Sequence, residues 1–167
     1  MILMRTAIAY GTKYGSTAEV ARRLKCVLGE TTDLFDITKG QIPSLADYDT
    51  VIIGGSIYMG RVQKKLMAFL KVSGEALLQK KIGLYLCAAH PDPKARRDEL
   101  AGAFPKQLCD HALVKDILGY ALHFEKMTFL DRLIMSKVKG DKISTSAFDQ
   151  EKIVAFAEAI KKSALGA

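Results

Sequence analysis

The chain has 167 residues, 49% of them apolar and 26% charged, with a net charge of +7. That length suits one domain, residues 1–167, with a substantial core, and the composition is that of a globular protein rather than a disordered or disulfide-rich one. Its apolar runs, such as Val51–Gly55 and Ile82–Ala89, are too short to span a bilayer, and Arg5 interrupts the first of them, which argues against a cleavable signal.

In chain order, runs with strand character occur at Arg5–Tyr10, Thr32–Ile37, Thr50–Gly55, Ile82–Ala88 and Val114–Leu122. The first, third and fourth are continuous and β-rich, the pattern of strands covered on both faces. Helical spacing of apolar residues falls between them. Thr17–Leu28 places Val20, Ala21, Leu24 and Leu28 on one side, and Val62–Leu78 does the same with Leu66, Phe69, Leu70, Leu77 and Leu78. Pro93–Asp110 is a third helical stretch, with Pro105 expected to kink or break it. Thr38–Asp49 leaves room only for a short helix around Ser44–Tyr48. A last helix is predicted over Asp149–Ala164, with Asp149 as its N-cap. Strand and helix alternate, which predicts an α/β fold built on a parallel sheet. One stretch breaks the alternation: about 123–148 inserts far more chain before the last helix than such a connection needs.

The three cysteines, Cys26, Cys87 and Cys109, lack metal-ligand spacing and are odd in number, which suits reduced thiols in the cytoplasm and no metal site. The positive charge suits nucleic acid, an anionic membrane surface or an anionic small molecule equally well. No recognition motif accompanies it, so nucleic acid is not expected.

The loop after the first strand carries the sharpest chemical signal. Tyr10–Ala21 reads Tyr-Gly-Thr-Lys-Tyr-Gly-Ser-Thr-Ala-Glu-Val-Ala. A strand, a glycine- and hydroxyl-rich loop and then a helix make a phosphate cradle. Loop N–H groups and the helix dipole converge on one point, and glycine lets backbone come close. Thr12, Ser16 and Thr17 are hydroxyl donors and Gly11 and Gly15 the small residues. The loop lacks both the Gly-Lys-Ser/Thr ending of a nucleoside-triphosphate loop and the G-x-G-x-x-G dinucleotide fingerprint, so it suits a single terminal phosphate. The plainer alternative is a helix start in which Ser16 or Thr17 caps orphan N–H groups.

This stretch resembles the flavodoxin FMN-phosphate signature, departing slightly at Ala9, where that pattern has a larger apolar residue. Gly-Gly-Ser-Ile-Tyr-Met-Gly-Arg (Gly54–Arg61) and Cys-Ala-Ala-His-Pro-Asp-Pro-Lys (Cys87–Lys94) follow the third and fourth strands, where flavodoxin-like proteins hold the isoalloxazine ring. The resemblance implies a flavodoxin-like three-layer sandwich, a five-stranded parallel sheet in the order 2-1-3-4-5, and FMN as cofactor. It implies phosphate contacts from Thr12, Lys13, Tyr14, Gly15, Ser16 and Thr17. Ser56, Ile57, Tyr58, Met59 and Gly60 would lie along the flavin, with Tyr58 stacking and Gly60 admitting a close or flipping peptide. Ala88, Ala89, His90 and Pro91 would form the opposite wall, the alternative for His90 being a solvated loop histidine.

Arg61, Lys64 and Lys65 follow the first of these flavin loops, and Lys94, Arg96 and Arg97 the second. Positive charge near a flavin favours its anionic reduced form, which suits an acceptor of electrons from a substrate; the alternative is an ordinary solvated helix face. In the insertion, Met127, Leu130, Ile134 and Val138 form one apolar face of a helical pattern, with Phe129 and Leu133 lying away from it. Such a segment suits an apolar substrate channel, a membrane surface, a second subunit or plain core packing.

The insertion's position, its sequence around Phe129–Arg132 and the Gly54–Arg61 loop resemble the menaquinone-dependent protoporphyrinogen IX dehydrogenase family. That resemblance implies an FMN enzyme that oxidises protoporphyrinogen IX and passes electrons to a quinone. It would be cytoplasmic and peripheral to the inner face of the membrane, with Arg61, Lys64, Lys65, Phe129 and Leu133 at the substrate or membrane rim. His90 and His123 are candidates for assisting proton transfer, without a general base being required. Two other readings remain at this stage: a flavodoxin-like one-electron carrier and a NAD(P)H:quinone reductase.

Overall fold

The computed structural model describes residues 3–58, 60–90, 92–122, 128–131, 133 and 145–166. Five strands arise where the sequence has its β-rich runs: β1 (Thr6–Tyr10), β2 (Thr32–Asp36), β3 (Thr50–Ser56), β4 (Lys81–Cys87) and β5 (Val114–Leu122). The first four pair in parallel, and β5 joins β4 in parallel through its first half. The expected five-stranded parallel sheet gains a sixth strand, β6 (Thr145–Phe148), giving the order β2-β1-β3-β4-β5-β6. β6 runs antiparallel to Gly119–Leu122 of β5. The end of the segment taken as insertion therefore belongs to the sheet.

Gly119 makes this edge possible. Its φ of +138° lies where side chains are rarely found, and a Cβ there would stand 2.5 Å from the Ala147 carbonyl. The β4–β5 register also slips beside it, from Leu86 opposite Ile117 to Cys87 opposite Gly119.

Helices cover both faces of the sheet. α1 (Ser16–Leu28) and α5 (Gln150–Gly166) lie on one, where Val20, Leu24, Phe156 and Ile160 pack on Ile8, Ile52 and Tyr85. α2 (Lys64–Leu77), α3 (Pro93–Ala103) and α4 (Lys106–His111) lie on the other, where Leu66, Phe69, Phe104 and Leu108 pack on Val51, Ile53, Leu84 and Leu86. Neighbouring strand residues thus feed opposite cores, as their continuous apolar runs require. The predicted break at Pro105 separates α3 from α4. Asp149 caps α5 by accepting from Lys152 N at 3.0 Å. Between β2 and β3, the expected short helix is a 3₁₀ turn at Leu45–Asp47, and a second turn, Ile37–Lys39, is started by the Asp36 carboxylate accepting from Thr38 N.

At the end of the sheet where β1, β2 and β3 begin, Thr6 stands in register with both Thr32 and Thr50. All three hydroxyls are buried and, among the described residues, find no partner. A buried hydroxyl without a hydrogen bond is costly. Thr50→Val keeps the branched shape and removes that group, so it is expected to stabilise the fold by about 1 kcal/mol. A raised urea midpoint at unchanged m-value would show this; a lowered midpoint would mean that the hydroxyl has a partner after all.

Candidate functional site

The chain passes from β1 outward to β2 and returns to β3 on β1's other side, so the strand order reverses at β1 and β3. Loops at the carboxyl ends of strands beside such a reversal open a crevice. Three loops meet there, after β1, β3 and β4.

The first, 11–15, is a tight turn that leads into α1. Gly15 has φ +96° and starts the helix with no side-chain cap. Its N–H donates to Thr12 Oγ1 at 2.8 Å, while the fully buried Thr17 turns its hydroxyl back to donate to the Gly11 carbonyl at 2.6 Å. The alternative of a hydroxyl-capped helix start is therefore not what forms. Thr17 closes the loop instead, and the α1 N-terminus is left facing the crevice with its dipole uncompensated by a cap. Gly11 is needed for closeness: a Cβ there would stand 3.0 Å from Gln63 Oε1 and 3.2 Å from Leu66 Cβ. Tyr85, fully buried, supports the loop from below by donating to the Thr17 carbonyl at 2.8 Å.

The second loop turns tightly. Tyr58 N donates to the Arg61 carbonyl at 2.9 Å and Arg61 N to the Tyr58 carbonyl at 3.1 Å, with Gly60 at φ +75°. Gly60 therefore answers to the turn itself, since a Cβ there would meet nothing. Gln63, which the sequence reading missed, staples this loop to the start of α2. Its Nε2 donates to Ser56 Oγ at 2.8 Å and its Oε1 accepts from Ser56 N at 3.3 Å. Ile57 N donates to the Cys87 carbonyl at 3.0 Å, so the second and third loops are joined.

In the third loop Ala88 is buried, and Ala89 and His90 are half-buried. His90 Nδ1 accepts from Asp92 N at 3.1 Å and its carbonyl accepts from Arg96 Nη1 at 2.8 Å, so this histidine is built into the turn before α3. Burial pushes the Cys87 thiol up to about 12, against the opposing effect of the Ser16 hydroxyl, which leaves an inert neutral thiol beneath the crevice.

The residue that joins the loops is Asp131. Its side chain is only 5% exposed and pairs with Lys13 Nζ at 2.7 Å. The hydroxyls of Tyr14 and Tyr58 both donate to the same carboxylate, and Lys13 Nζ sits 3.7 Å from the centroid of the Tyr58 ring. Burial works to raise the Asp131 pKa, but Lys13 and the two phenols outweigh it and hold the group at about 2. A lowered pKa means that the pairing is fully present above the ordinary 3.8 and is lost as pH falls toward 2. The Tyr58 phenol is raised, chiefly by its bond to this carboxylate, and Tyr14 is raised by burial and by the same bond.

Around Asp131, Phe129 and Leu133, expected at a rim, are 82% and 40% exposed, and Leu130 of the apolar face is 62% exposed, which sets aside plain core packing for it, while Asp131 is 3% exposed. Arg61, Lys64 and Lys65 are exposed as expected, and Lys65 Nζ donates to the Thr38 carbonyl at 3.0 Å. With Thr12, Lys13 and Tyr58 they line a groove of about 870 Å³ whose apolar part is Val62, Met67 and Ala103; among the described residues, no carboxylate lines it. Met59, Pro91, His123, Met127, Ile134 and Val138 lie outside the described residues. No helix among the described residues is long and apolar enough to cross a membrane.

Several solved structures share the fold at low identity. A short-chain flavodoxin associated with a bacterial microcompartment is 18% identical, with a TM-score of 0.59 over 96% of this chain and 99% of that one. Fusobacterium nucleatum flavodoxin bound to flavin mononucleotide is 14% identical, with a TM-score of 0.56 over 95% and 98%. Oxidised flavodoxin 1 from Bacillus cereus is 16% identical, with a TM-score of 0.55 over 95% and 97%. No curated protein shows a significant sequence match. The flavodoxin domain model matches residues 7–148, a span that runs from β1 through all three crevice loops to β6, and the chain therefore belongs to the flavodoxin domain family.

Proposed function

We propose that this chain is an FMN-dependent oxidoreductase that takes electrons from a small anionic substrate with an apolar body, protoporphyrinogen IX being the leading candidate, and passes them to a quinone. The residues fit the cofactor: an uncapped helix N-terminus, a loop drawn tight by Thr12 and Thr17, and Gly15 at φ +96° where the loop enters α1 suit a phosphate group. Loop N–H groups with Thr12 and Ser16 would hold the phosphate, and Ser56–Tyr58, Gly60 and Ala88–His90 would flank the ring system. FMN, when bound, supplies one- and two-electron transfer; the protein binds it, orients it and excludes water.

The observation that carries the substrate class is the groove beside Tyr58, with Arg61, Lys64 and Lys65 around an apolar wall. Cations at its mouth would pair with carboxylates, and Val62 and Met67 would meet an apolar body. Exposed Phe129 and Leu130 offer an apolar approach for a quinone and a place for peripheral membrane contact. A second reading, a one-electron carrier, is supported by the family match and by the near-complete coverage of flavodoxins.

Anaerobic reductive titration of FMN-loaded protein separates the two. Direct passage from oxidised to fully reduced flavin is expected, followed by turnover of protoporphyrinogen with a quinone. A persistent one-electron-reduced spectrum without turnover would favour the carrier. Replacing Arg61, Lys64 and Lys65 together by Gln is expected to raise KM for the substrate roughly tenfold or more, since exposed pairs contribute up to about 1 kcal/mol each. An unchanged KM would remove the groove from the substrate's path.

A further inference from the structure

The Asp131 turn buries a carboxylate and exposes its apolar neighbours, the reverse of what an amphipathic turn does when it merely packs on a core. A buried carboxylate is tolerated only when it is fully partnered. Its partners here come from both cofactor loops: Lys13 and Tyr14 from the loop after β1, and Tyr58 from the loop after β3. These are three of the side chains that the flavodoxin resemblance implies for phosphate and flavin, and a single acidic group holds them all.

Resting on the FMN reading above, we propose that Asp131 is a positioning residue of the flavin site, which fixes the Tyr58 ring and ties the loop after β3 to the loop after β1. Two consequences follow from the contacts. Lys13 lies over the Tyr58 ring with its charge offset by the carboxylate, so phosphate would be held by loop N–H groups and hydroxyls rather than by this ammonium. Tyr58, anchored at its hydroxyl, has its ring fixed before any flavin arrives, which lowers the ordering cost of binding.

The test compares wild type with Asp131→Asn and Asp131→Glu. In protein free of cofactor, a spectrophotometric titration of the phenols, with Tyr58→Phe to assign the signal, should show the Tyr58 phenol titrating at lower pH in Asp131→Asn. Dissociation constants are then measured for FMN and for riboflavin, which lacks the phosphate. Both are expected to rise about tenfold in Asp131→Asn, the loss of one charged hydrogen-bonding group, with partial recovery in Asp131→Glu. Tighter FMN binding with riboflavin unchanged would overturn the proposal, because the carboxylate would then be competing with phosphate for Lys13. An unmoved Tyr58 titration with both affinities unchanged would overturn it too. Should wild type bind neither flavin while the phenol still shifts, the FMN reading falls and Asp131's hold on the two loops stands.

Discussion

Gly54→Ala is expected to lower stability by about 3 kcal/mol or more. Gly54 pairs with Tyr85 across β3 and β4, and the hydroxyl end of the phenol ring occupies the position where a side chain would begin. A Cβ there would stand 2.0 Å from Tyr85 Cζ and 2.3 Å from Cε1, well inside contact distance. The ring cannot swing away cheaply. Tyr85 is fully exposed nowhere along its length, at 0% relative exposure, packs edge-on against Phe156 at 6.2 Å, and is anchored by its hydroxyl to the Thr17 carbonyl. Moving it therefore costs core packing and the support beneath the crevice loop together. Urea unfolding measures the first loss, and FMN affinity of whatever folded protein remains measures the second. Tyr85→Leu in the Gly54→Ala background should recover part of the stability although Tyr85→Leu alone is destabilising, a coupling that only direct contact produces. A loss below 1 kcal/mol in Gly54→Ala would mean that β3 and β4 can separate locally without disturbing the core.

The sequence carried the sheet and the crevice because both rest on local signals. Continuous runs of β-branched and leucine residues marked β1, β3 and β4, and the change from apolar run to glycine and hydroxyl marked the loop at 11–17. Pro105 and Asp149 act within one turn of where they stand, so the α3–α4 break and the α5 cap were legible too. What failed was set by partners far along the chain. β6 is four residues, Thr-Ser-Ala-Phe, with no period of its own, and becomes a strand only because Gly119 lets it approach β5. Apolar spacing put Leu130 on one face of a helical pattern without saying what that face meets, and the buried position belongs to Asp131, whose partners Tyr14 and Tyr58 lie 117 and 73 positions away. The available clue was an aspartate inside an apolar run, close to a loop rich in lysine and tyrosine. Gln63 was equally quiet, since its role depends on the bend that brings Ser56 back to the start of α2.

Thr17→Val should weaken FMN binding about ten- to hundredfold while leaving the fold largely intact. Valine matches threonine in shape, so the buried space beside Ala18 and Val20 stays filled and the substitution isolates one hydroxyl. That hydroxyl supplies the donor at the buried Gly11 carbonyl, at 2.6 Å, across the mouth of the loop after β1. Without it a buried carbonyl loses its partner, at a cost of about 1–3 kcal/mol. The protein relieves that cost by letting the loop open toward water. An open loop no longer gathers its N–H groups at one point, and a phosphate held by several converging donors loses all of them partially rather than one of them fully. The effect should therefore be concentrated in the phosphate: riboflavin affinity should change little, in contrast to the joint loss expected on removing Asp131. Thr17→Ser retains the donor and should bind FMN nearly as wild type does. Equal losses of FMN and riboflavin in Thr17→Val would place the damage in the fold of the crevice as a whole, and an unchanged FMN affinity would show that the loop closes without this hydrogen bond.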